Sequence, residues 1–143
     1  MKIVLLFTAL LFVNNCVKNK VQSELVIQFK YEAITRGSSL TYVVNDEEII
    51  TSTKGSINNE NSKEVSNKDW GTLVEYIKLV DLTAIENLVP PSDDSKSDKV
   101  RIATLTVTTA NHSYKSEPFD EGNPPKELAP IIDKIIAIAK TVD

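Results

Sequence analysis

Residues 98–140 constrain the fold more than any other stretch. Ala103, Leu105 and Val107 alternate with Thr104, Thr106 and Thr108. A period of two places the two sets on opposite faces of a strand. The Thr face, β-branched but polar, suits the solvent side of an antiparallel sheet. The strand is predicted over 99–110, with a bulge near Ile102-Ala103 because Val100 and Ile102 fall out of phase. Ala110-Asn111 supplies a hairpin turn, and 112–118 returns as a short strand carrying Tyr114. A corner follows, with Phe119 as anchor and Asp120-Glu121-Gly122 turning the chain. Asn123 is a candidate helix cap, with Pro124 just inside the helix start. Leu128, Ile131, Ile132, Ile135, Ile138 and Ala139 then form a helical stripe. Pro130 would delete a bond inside a helix begun at Pro124. The expectation is therefore a kink or short first turn before a main helix over 130–141.

Upstream, Leu25, Ile27, Phe29, Tyr31 and Ala33 alternate with Val26, Gln28, Lys30 and Glu32, predicting a first strand over 24–34 with the first set facing the core. Arg36-Gly37-Ser38-Ser39 is a turn. Leu40, Tyr42 and Val44 mark a second strand. Asn45-Asp46 is a two-residue hairpin turn into a third strand over 47–53. Residues 54–65 are polar, without apolar period, and read as a loop. Ser66-Asn67-Lys68-Asp69 is a capping-box variant. Trp70, Leu73, Val74 and Ile77 make one apolar stripe on a helix over 67–79; Trp70 reads as core, with a ligand-stacking role as the alternative. Asp81 or Thr83 caps a short helical turn that Pro90-Pro91 terminates. The expected fold is a single α+β domain over 24–143, an antiparallel sheet of about five strands with two main helices on one face, in the order βββ-α-ββ-α.

Chemistry is narrowly bounded. The chain of 143 residues carries a net charge of −4, which gives no electrostatic footprint for nucleic acid. It has one cysteine, Cys16, and one histidine, His112. No intrachain disulfide can form, and a His/Cys zinc centre needs three or four such ligands. The acidic run Asp46-Glu47-Glu48 reads as a solvated turn rather than a cation site. Residues 92–98 lack the Asp spacing, Gly and final Glu of an EF-hand loop. No phosphate-cradling Gly loop is present. The expectation is no cofactor and no metal.

The first fifteen residues read as an address. Lys2 precedes an apolar run, residues 3–13, that is short for a bilayer span and is closed by Asn14-Asn15. Cys16 follows directly. The arrangement resembles a bacterial lipoprotein signal, although Asn15 stands where Gly, Ala or Ser is usual. That resemblance implies cleavage before Cys16, lipidation of its thiol, and a polar tether over 16–23. Removal of Lys2 would take the net charge from −4 to −5. Without lipid on Cys16, the same signal would give a secreted protein.

The Trp70-x-x-Leu73 helix start, the Pro90-Pro91 step and, most specifically, Phe119-Asp120-x-Gly122-x-Pro124-Pro125-x-x-Leu128 resemble a family of small Bacteroidetes lipoproteins. The likeness covers the signal and the second half of the chain. Family members often carry His where this chain has Glu121. The resemblance implies a cell-envelope location and brings no activity with it.

Three functions are weighed. The favoured one is a membrane-tethered, non-catalytic module that binds an envelope protein or ligand. The second is a hydrolase using Asp120 and Glu121 near His112 as acid and base, though adjacent turn residues rarely face one substrate. The third is an inhibitor or adaptor of an envelope enzyme, presenting residues 92–98 or the Phe119 corner.

Overall fold

A computed structural model describes residues 25–94 and 100–142. Residues 1–24, with the signal, Cys16 and the tether, lie outside the described residues, as does part of the loop at 92–98. Seven strands form one antiparallel sheet: β1 (Val26–Thr35), β2 (Ser38–Val44), β3 (Glu48–Lys54), β4 (Asn59–Glu64), β5 (Ile102–Thr109), β6 (Ser113–Lys115) and β7 (Phe119–Asp120). Their spatial order is β4-β3-β2-β1-β5-β6, with β7 also paired to β5. Helix α1 (Asn67–Ile77), a 3₁₀ segment (Leu82–Asn87) and helix α2 (Ala129–Ala139) complete the chain. The α+β class stands, with two strands more than the sequence predicts.

The register explains the core. Phe29, Tyr31 and Ala33 of β1 face Val107, Leu105 and Ala103 of β5 on one side, and Val44, Tyr42 and Leu40 of β2 on the other. All lie on the face covered by the helices, and the three β1 side chains are buried. Leu73 and Ile77 of α1 join Ile131, Ile132 and Ile135 of α2 in the same core. The opposite face carries Thr104, Thr106 and Thr108, as the alternation predicts.

Several expectations are corrected. The bulge lies in β1, not β5: Val26 pairs with Thr109 and Gln28 with Thr108, leaving Ile27 as the extra residue. An extra residue inverts the phase of everything before it. Val26 therefore turns inward, while Leu25 is 71% and Ile27 44% exposed. The polar stretch assigned to a loop contains β4, which pairs with β3 from Glu48↔Glu64 to Thr53↔Asn59. The turn after β2 is shifted by one residue: Asn45 N–H bonds the Glu48 carbonyl at 3.0 Å, and Asn45 Oδ1 accepts from the Glu47 and Glu48 amides at 2.8 and 2.7 Å. Asn45 is thus the side-chain brace of the turn rather than its tip.

The helix starts follow local chemistry. Ser66 caps α1, its Oγ accepting from the Asp69 amide at 3.1 Å and donating to Asp69 Oδ2 at 2.7 Å. Such a cap stabilises by about 1 kcal/mol. Asp69 Oδ1 also accepts from Lys134 Nζ at 2.6 Å, tying α1 to α2. Asn123 does not cap a helix, because α2 begins only at Ala129 with Pro130 in its first turn. One tight turn closed by Leu128 N–H to the Pro125 carbonyl, 2.9 Å, precedes it, as the position of Pro130 requires. At the other end, Lys63 of β4 donates to the Thr141 carbonyl at 2.8 Å.

Candidate functional site

The Phe119 corner is a structural joint. Phe119 pairs with Ala103 and is 2% exposed; Asp120 pairs with Ile102 and is 3% exposed. Asp120 Oδ2 accepts from Ser92 Oγ and, at 2.8 Å, from the Asp94 amide. Asn123 Nδ2 donates to Ser92 Oγ at 2.7 Å. The buried carboxylate therefore clasps the loop after Pro90-Pro91 onto the corner. Asn123 N–H closes the turn onto the Asp120 carbonyl at 2.9 Å, with Gly122 at φ +84° in its third position. Only glycine adopts that conformation readily. Pro124 leads from this turn to the buried Pro125.

His112 is not beside this joint. It closes the β5–β6 turn, where its carbonyl accepts from the Thr109 amide at 2.8 Å. Asp120 pairs with the other end of β5, so the two lie about 23 Å apart along the strand at ~3.3 Å per residue. An acid–base pair of His112 with Asp120 is therefore not assembled. Among the described residues, no group of three or more His, Cys, Asp or Glu is placed to hold a metal.

A second polar cluster escaped the sequence reading. Arg101 Nη1 donates to both Glu121 carboxylate oxygens at 3.2 Å. Nearby, Tyr31 and Tyr42 stack with centroids 5.9 Å apart. Burial pushes the Tyr31 phenol up to about 12, with the Glu121 charge adding to the rise and Arg101 opposing it. Burial and Glu121 raise Tyr42 in the same way. The Tyr31 hydroxyl and Arg101 Nε have no hydrogen-bond partner among the described residues. In sequence, Tyr31 is one more core position of an alternating strand, and Arg101 has no partner within local reach.

The feature suited to binding is a groove of about 730 Å³ between α1, the segment that follows it, and the start of β1. Trp70, Val74 and Ile77 form its helical wall, Leu25 and Val26 the strand wall, and Tyr114 reaches in from β6. Trp70 is half-buried rather than fully enclosed, and so is Val74. The indole and the Phe29 ring pack in a T-shaped pair, centroids 5.6 Å apart at 71°, while the indole also lines the groove. The ring is thus packed against the core on one side and lines the groove on the other. The rim carries Leu25 and the 86%-exposed Leu79. The charged lining residues are Lys78 and Asp81. Size and lining suit an apolar ligand. Leu79 falls off the α1 stripe and Leu25 owes its exposure to the bulge, so spacing alone does not bring them together.

No protein-family model, curated protein or solved structure matches this chain. Among the described residues, no helix is long and apolar enough to cross a membrane.

Proposed function

We propose that this chain is a membrane-tethered cell-envelope lipoprotein, anchored through Cys16, whose domain is a non-catalytic binding module. The observation that carries the binding role is the apolar groove at Trp70, with the ring presented to it rather than enclosed. The anchor rests on the apolar run 3–13, closed by Asn14-Asn15 and followed by the only cysteine, Cys16, and on the resemblance to small Bacteroidetes lipoproteins. The acid–base alternative is weakened by geometry, since Asp120 holds the 92–94 loop and His112 stands at the far end of β5.

A single acyl chain binds membranes only marginally, at about 10⁴ M⁻¹. Durable anchoring therefore needs more than one chain on Cys16. A body of net charge −5 after cleavage adds no attraction to anionic lipid. Cys16→Ser should release the folded protein to the soluble envelope fraction, or leave it uncleaved, with an unchanged melting temperature. Membrane association identical to the parent's, with normal cleavage, would contradict the proposal.

A further inference from the structure

We infer that the Trp70 groove is a bilayer-docking surface, which takes phospholipid acyl chains of the same membrane that the anchor enters. The inference rests on the tethered reading above, and three observations carry it. Leu25, on the groove wall, is nine residues from Cys16. That span reaches at most about 30 Å when fully extended. The groove therefore lies beside the point where the tether enters the domain, at an effective concentration on the order of mM relative to the bilayer, where weak apolar insertion suffices.

The rim also has interfacial character. Leu25 and Leu79 are 71% and 86% exposed, with Trp70 and Tyr114 behind them. Aromatic rings with a polar handle favour the headgroup boundary. Finally, Lys78 and Asp81 are the charged residues of the lining, so the rest of the groove is uncharged, as acyl chains require.

Trp70 is the only tryptophan and Cys16 the only cysteine, so one probe and one attachment point exist. The mature chain from Cys16, which keeps every described residue, is coupled through Cys16 to a maleimide phospholipid. The vesicles are phosphatidylethanolamine/phosphatidylglycerol with brominated acyl chains. Trp70 emission should fall and shift to shorter wavelength relative to the protein capped with a soluble maleimide. A Leu25→Asp/Leu79→Asp variant should lose both changes while melting at the same temperature. Equal emission in brominated and plain vesicles overturns docking, as does undiminished quenching in the double variant. A vesicle-free, concentration-dependent shift of Trp70 with self-association assigns the groove to a second copy and likewise overturns it. Because the coupling is chemical, an unquenched Trp70 sinks docking alone, whereas an unlipidated Cys16 in the native protein sinks the anchor.

Discussion

Tyr31 carries a hydroxyl into the core where no described group meets it. A buried polar group without a partner costs about 1–3 kcal/mol. Tyr31→Phe should thus leave stability unchanged or raise it, read by chemical denaturation; a loss above about 2 kcal/mol would reveal a missing partner. The same phenol makes an alkaline prediction. Its folded value, about 12, exceeds the ordinary 10.0. Its contribution is fully present below pH 10 and lost as pH rises from 10 towards 12. Tyr31→Phe should flatten that limb. At the corner, Phe119→Ala should cost about 3–5 kcal/mol by opening a cavity. Gly122→Val should cost about 1–2 kcal/mol, because an L side chain is strained at φ +84° even though the space around it is open. An unchanged thermal melt in either variant would remove that residue from the joint. The corner was legible because Phe, Gly and paired prolines each have a narrow conformational use. The partners of Asp120, by contrast, stand 26 and 28 positions away and leave no local pattern.

Elements were legible where one face is apolar. β1, β2, β5 and α1 follow from periods of two and 3.6, because burial of one face is what fixes them. β4 has no such signal: its sequence is Asn-Glu-Asn-Ser-Lys-Glu. It exists through backbone pairing to β3, and its polar, charged character suits an edge strand that must not recruit another chain. The bulge at Ile27 was equally hidden, since Val26 and Ile27 are both apolar and either phase is consistent with the composition. Between elements, the Lys134 ammonium and Ser66 hydroxyl hold the Asp69 carboxyl below its ordinary 3.8. A depressed acid stabilises fully above 3.8 and loses that contribution as pH falls through its folded value. The urea midpoint of the parent should drop below about pH 4, and Asp69→Asn should show a shallower acid limb. An identical acid limb in the variant would mean that the α1–α2 tie contributes nothing.

At the scale of the molecule, the sheet sets two different features at the two ends of β5. One end is clasped by Asp120, Ser92 and the Phe119 corner. The Trp70 groove lies instead beside the entry of the chain into β1, where Leu25 leads back to Cys16. Nothing in the linear sequence reveals this juxtaposition, because it depends on β1 being central and on α1 folding back over its start. It is also what joins the anchoring and binding halves of the proposal. The most direct test of that proposal is intact mass spectrometry of the native protein from its own envelope. The expected mass is that of a chain beginning at Cys16 and carrying a diacylglyceryl group with a further acyl chain. An unmodified N-terminus at Val17 or beyond, or an intact Met1, would contradict it.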